Sequence, residues 1–129
     1  MAPEYAPVYE ERGYGSTTWS PLALGMLTGK YQDGIPPGSR GDKEEFDWLE
    51  DKLTDKERIA IVDGLLPMAK DMGASLAQFS IAWCLQNPWV STVITGASRV
   101  EQVHENMKAI EFADKFTPEL LAEIDKLFS

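Results

Sequence analysis

Gly96-Ala97-Ser98-Arg99 leads into Gln102, Glu105 and Asn106, and these residue types at this spacing suit the binding of an anion. The run sits where a helix should begin, so backbone N–H groups and the positive end of the helix dipole would point outward. Ser98 could donate its hydroxyl to a phosphate, and the Arg99 guanidinium could clamp it through two hydrogen bonds. Spacing alone favours a plainer role for both, with Ser98 as a helix N-cap worth about 1 kcal/mol and Arg99 as a surface charge. Gln102, Glu105 and Asn106 stand at i, i+3 and i+4 and share one helix face, opposite a stripe of Val100, Val103 and Met107. An amide can pair with adenine and a carboxylate can accept from its exocyclic amine. A solvated helix face, the default for such a composition, looks the same. His104 falls between them with no partner pattern and takes no role.

Trp19-Ser20-Pro21-Leu22 is the second candidate, with Lys30 and Arg40 downstream of it. By residue type alone, Trp19 is equally an aromatic of a sheet interior, and cations in loops are usually just solvated. Tyr5, Tyr9, Tyr14 and Tyr31 offer phenols. None comes with the lysine and histidine that would lower its pKa, so no residue is assigned a catalytic role.

The elements that position these groups follow from periodicity and caps. Residues 5–12 have the spacing of a short helix, which Gly13 ends, and residues 15–20 form a short strand that Pro21 closes. Residues 31–55 make a long loop rich in glycine and proline, and Phe46, Trp48 and Leu49 imply an ordered lid that packs on something. Thr54 with Glu57 forms a capping box for a helix through Ile59, Val62, Leu65, Leu66, Ala69 and Met72, in which Pro67 should bend the axis or orphan a carbonyl. Ser75 with Gln78 caps a strongly apolar helix that Asn87-Pro88 stops. Residues 90–95 are a buried strand, Ser98 with Glu101 is a third capping box, and Thr117-Pro118 starts a C-terminal amphipathic helix. Strands alternating with helices imply βα units on a parallel sheet. Two strands make a poor sheet by themselves, because both edges stay unpaired, so the chain reads as part of something larger.

Composition narrows the function. The 129 residues are 43% hydrophobic and 26% charged, the balance of a globular domain. Twelve basic against 21 acidic residues leave a net charge of −9, which argues against nucleic acid and against a polybasic membrane role. A single cysteine, Cys84, excludes a disulfide framework and fits a reducing, cytoplasmic compartment. No apolar run is long enough for a membrane span, and the first residues lack a signal-peptide pattern.

Residues 19–31, Trp-Ser-Pro-Leu-Ala-Leu-Gly-Met-Leu-Thr-Gly-Lys-Tyr, closely resemble a signature of the aldo-keto reductases. Residues 95–106 resemble that family's second signature, and residues 76–85 the helix before its last strand. The resemblance covers nearly the whole chain and is strongest to the branch that includes the β-subunits of voltage-gated potassium channels. It implies a (β/α)8 TIM barrel, of about 250 residues when complete, of which residues 1–129 would be the C-terminal part with strands seven and eight. It implies NADPH as cofactor. Ser98 and Arg99, with Gly96, would then hold phosphate, while Gln102, Glu105 and Asn106 would hold the adenosine end. Ser20, Pro21 and Leu22 would run along the pyrophosphate, Trp19 would lie against the nicotinamide, and Lys30 and Arg40 would reach the phosphates from the lid. The family's catalytic tetrad belongs to the first half of the barrel, and no position here matches it.

Two functions follow from the resemblance. One is the NADPH-binding portion of a reductase that passes hydride to an aldehyde or ketone, a small carbonyl substrate, once the full barrel is present. The other is an NADPH-sensing regulatory subunit with a channel-like protein partner. A truncated, inactive product is a third expectation, and self-association through exposed apolar faces is a fourth.

Overall fold

The structure, a computed structural model, describes residues 5–129; Met1–Glu4 lie outside the described residues. Helix α1 (Ala6–Arg12) leads to strand β1 (Ser16–Trp19), and a 3-10 segment follows at Ala23–Thr28. Further 3-10 turns at Arg40–Asp42 and Glu44–Leu49 run into the short α2 (Glu50–Leu53). Then come α3 (Lys56–Met72), α4 (Leu76–Cys84), β2 (Val90–Ile94), α5 (Val100–Met107), a 3-10 stretch at Lys108–Lys115 and α6 (Pro118–Lys126). Among the described residues, no helix is long and apolar enough to cross a membrane.

β1 and β2 pair in parallel, with Thr17 opposite Thr92, Thr18 opposite Val93 and Trp19 opposite Ile94. The ladder is irregular between Ser16 and Thr17, because Ser16 faces Val90 and Ser91 is the extra residue. The Ser91 side chain fills the space a Cβ on Gly15 would need, which makes glycine the residue that fits the approach to this bulge. The start of the pair is fixed by Trp89, whose carbonyl accepts from the Ser16 N–H at 2.6 Å and from its hydroxyl at 2.9 Å.

The core lies between α3, α4, α6 and residues 31–53 rather than on the sheet. Tyr31, Leu49, Leu53, Val62, Phe79 and Ile124 are its fully buried side chains. Residues 31–55 therefore contribute core as well as covering it. Leu49 is sealed and Phe46 packs against the cluster, as the sequence implies, but Trp48 is 58% exposed with the Lys52 ammonium 5.2 Å from its ring centroid. Gln32 ties this segment to α3, donating to the Asp63 carboxylate at 2.7 Å and the Ile59 carbonyl at 3.3 Å. On α3, Gly64 leaves room for α6, since a Cβ there would meet Leu127 Cδ2 at 2.7 Å.

Two helix starts differ from expectation. Asp55, not Thr54, caps α3 by accepting from the Arg58 N–H at 2.9 Å, while the Thr54 hydroxyl turns back to the Glu50 carbonyl. The α2 helix ends at Leu53, which draws Thr54 into its last turn and leaves the next residue as the cap. Ser98 is likewise not the cap of α5, which begins one residue later with Arg99 at the N-cap. The Ser75–Gln78 box and the Thr117 cap with Pro118 at the first turn are both present. α3 runs through Pro67, and the Asp63 carbonyl that loses its helical donor lies on an exposed residue, where water can satisfy it.

Two measurements check this packing. The Tyr31 hydroxyl is buried without a hydrogen-bond partner, and an unsatisfied buried group costs about 1–3 kcal/mol. Tyr31→Phe should therefore hold or raise stability in urea denaturation, by about 1 kcal/mol. A loss of that size would mean the hydroxyl is paired. Burial pushes the Cys84 thiol pKa up, against a smaller lowering by a backbone hydrogen bond. The thiolate is thus scarcer near neutral pH than for a free cysteine. Alkylation of Cys84 should be slow in the folded chain and accelerate on unfolding.

Candidate functional site

Because β1 and β2 are parallel, their C-terminal ends lie together, and the segments leaving them share one side of the fold. A cavity of about 290 Å³ opens there, walled by Leu22, Thr28 and Lys30 from the segment after β1 and by Gly96 and Arg99 from the loop after β2. Gln102, Glu105 and Asn106 of α5 add a third wall, and Ser75 with Ala77 at the start of α4 a fourth. Of the residues singled out in the sequence, Leu22, Lys30, Gly96, Arg99, Gln102, Glu105 and Asn106 are thus brought together. Thr28, inside the 19–31 run, was given no role, and Ser75 and Ala77 were missed as site residues, since nothing local marks a helix start as facing a loop from another strand.

The other candidates lie off the cavity wall. Trp19 projects from the sheet with 79% of its surface exposed. Ser20 follows it in a left-handed conformation (φ 56°), as do Ala23 and Leu24 (φ 46° and 64°). Non-glycine residues in this region cost roughly 1–3 kcal/mol each, and they flank Leu22 at the mouth of the site. Pro21 is half-buried in the turn between them. Arg40 lies with its guanidinium 4.9 Å from the centroid of the Phe46 ring, inside the 31–55 segment. The Lys30 ammonium sits 5.0 Å from the centroid of the Tyr31 ring.

The loop after β2 is organised around one oxygen. Gln102 Oε1 accepts from the Ser98 N–H at 2.9 Å, the Ser98 hydroxyl at 3.2 Å and the Arg99 N–H at 3.1 Å. Gln102 therefore satisfies N–H groups just before α5, while the first-turn N–H that Ser98 was expected to cap receives nothing from its hydroxyl. The Gln102 oxygen stands at the focus of these three donors. Gly96 carries no side chain into this space, and a Cβ there would meet nothing within 4 Å.

The polar face of α5 is tied to the fold. Asn106 is buried and reaches the Gly96 carbonyl at 3.5 Å. The Glu105 carboxylate accepts from the Ser75 hydroxyl at 2.6 Å, and the Glu105 carbonyl accepts from the Gln78 amide at 3.1 Å. The expected burial of the α5 apolar stripe is reversed, because Val100, Val103 and Met107 are 67%, 47% and 56% exposed. Amphipathicity says that a helix has two faces; here the polar one found partners at the start of α4 and in the loop after β2.

The model of the aldo/keto reductase family matches residues 2–128. The chain belongs to that family. It is 46% identical over 125 residues to the probable voltage-gated potassium channel subunit beta of Arabidopsis thaliana, covering 96% of this chain and 38% of the relative. The rice protein of the same description is 47% identical over 123 residues, with 95% and 38% covered. The chain thus spans well under half the length of these curated relatives. As an aldo/keto reductase chain with two parallel strands, it matches a portion of a (β/α)8 barrel.

Ser75 joins the cavity wall to the fold, capping α4 through the Gln78 N–H and holding Glu105. Ser75→Ala should cost about 1 kcal/mol in thermal or urea denaturation. Ser75→Thr should keep most of that, and amide exchange at Gln78 should speed up in the alanine variant alone.

Proposed function

We propose that this chain is the NADPH-binding portion of an aldo/keto reductase that reduces aldehyde or ketone carbonyls. The observation that carries the reading is the convergence of three donors from Ser98 and Arg99 on Gln102 Oε1, beside two cations, Lys30 and Arg99. A phosphate oxygen can take the place of the amide oxygen and keep those donors satisfied. Gln102, once displaced, is free to turn to adenine with Glu105 and Asn106. Glu105 is negative, so it suits the adenine amine rather than a phosphate, and Ser75 holds it on that side of the cavity.

Size sets how much of the cofactor these residues could hold. Pockets that enclose a drug-sized ligand run from about 300 to 1,000 Å³, so about 290 Å³ suits the adenosine-phosphate end and not a whole dinucleotide. Trp19, exposed at the end of β1 and outside the cavity, would be the residue to meet the nicotinamide end. NADPH would supply the hydride; this chain's residues would bind and orient it, and proton donation to the carbonyl would come from the family's tetrad, which has no match here.

A second reading, a nucleotide-sensing subunit with a channel-like partner, is supported by the names of the matched relatives. Both readings use the same cofactor site.

Arg99→Ala provides the test. Only NADPH carries the additional ribose phosphate, so the substitution should weaken NADPH more than NADH, by about 1.5–3 kcal/mol for one charged hydrogen bond. Because Arg99 is exposed, the lower end is expected. Calorimetric titration of both nucleotides reads the difference, and equal losses would place Arg99 away from that phosphate.

A further inference from the structure

The capping box of α4 has partners beyond its own helix. The Ser75 hydroxyl oxygen accepts from the Gln78 N–H at 3.2 Å, which leaves its single proton for the Glu105 carboxylate, 2.6 Å away. Gln78 closes the box by accepting from the Ser75 N–H at 3.1 Å, and its amide nitrogen donates to the Glu105 carbonyl at 3.1 Å. The two residues of one box therefore grip Glu105 at both its side chain and its main chain. At 2.6 Å the serine contact has the length of a charge-assisted O–H···O bond. It engages one oxygen, Oε1, of a carboxylate that lines the cavity with Ser75, Ala77 and Asn106. The second oxygen is the one that can serve a bound base.

We propose that Ser75 and Gln78 are positioning residues for base selection: they hold the Glu105 carboxylate where it accepts from an exocyclic amine and rejects a base that presents a carbonyl instead. The inference rests on the reading of this cavity as the adenosine end of a nucleotide site. Selectivity follows from what each neighbour can offer. The carboxamides of Gln102 and Asn106 each carry both a donor and an acceptor, so neither distinguishes an amine from a carbonyl by itself. An ionised carboxylate only accepts, and a carbonyl oxygen brought against it has no donor to pair with. Such discrimination requires the carboxylate to stay in place. A glutamate side chain is rich in rotamers, and once released from Ser75 it can swing to water and no longer oppose the wrong base. Glu105 is only half-buried, so the expected preference is about tenfold rather than the far larger ratios of sealed sites.

The test is calorimetric titration of NADPH and of its analogue with hypoxanthine in place of adenine, in which a ring carbonyl replaces the amine. The unsubstituted chain should prefer NADPH by about tenfold. Ser75→Ala should reduce that ratio by about threefold or more. Ser75→Gly should do the same, and it removes the hydroxyl while keeping a residue that N-caps accept almost as well as serine. Ser75→Thr keeps the donor and should keep the ratio. Thr117→Ala removes the corresponding cap of α6, outside the cavity, and should lower stability without moving the ratio. Glu105→Gln should bring the two nucleotides close to equal affinity, because a carboxamide can meet either base. Binding of NADPH with a ratio unmoved in Ser75→Ala and Ser75→Gly, or lowered as much by Thr117→Ala, would overturn the positioning role and leave the cofactor reading standing. Equal affinity of the unsubstituted chain for both nucleotides would do likewise. No binding of either nucleotide to that chain would overturn both readings.

Discussion

Parallel pairing of β1 with β2 is the constraint on which the site depends. Antiparallel strands would send the segment after β1 and the loop after β2 to opposite ends of the sheet, separated by a strand length of roughly 15 Å. In parallel they leave side by side, and Leu22, Lys30, Gly96 and Arg99 can share one cavity. The same geometry dictates the middle of the chain, which must travel back from the end of β1 to the start of β2. α3 and α4 make that return, and Trp89 locks its last step onto Ser16. The hydrogen bonds at the start of the ladder and the cavity at its end are two consequences of one arrangement.

The return path also explains where stability resides. Leu49 and Leu53 have nothing to do with the sheet, yet they are sealed with Val62 and Phe79 in a core made by the connection. Fully burying such a side chain is worth about 1.5–3 kcal/mol, and the sheet offers no comparable burial. α4 bridges the two regions. Its inner residues Leu76 and Phe79 belong to the core, and its N-terminal Ser75 reaches across to Glu105. The cavity wall is therefore anchored on the best-packed part of the fold, while the open sheet face sits on the least-packed part.

Legibility in the sequence followed the range of the interactions involved. The box of Ser75 with Gln78 and the cap of Thr117 before Pro118 involve residues three apart, and both are present as read. Asp55 displaced Thr54 because α2, a helix too short to announce itself, claimed Thr54 for its last turn. Ser98 lost the cap because α5 begins one residue later, with Arg99 at the N-cap, and the Gln102 amide oxygen reaches back to the Ser98 and Arg99 N–H groups before the helix. Ser75 and Ala77 joined the cavity through contacts spanning about one-quarter of the chain, and no short pattern encodes those.

The sequence by itself determined the alternation of strands and helices and the family, because these rest on local chemistry and on motif order. Tertiary structure alone decided which side of α5 would be satisfied. Hydrophobic spacing predicts a buried stripe of Val100, Val103 and Met107, but burial needs a surface to bury against. The described fold provides one for Asn106, Glu105 and Gln102, through Gly96, Ser75 and the loop after β2. For the apolar side it provides none. Helical periodicity fixes which residues share a face, and only the assembled neighbours fix which face is covered.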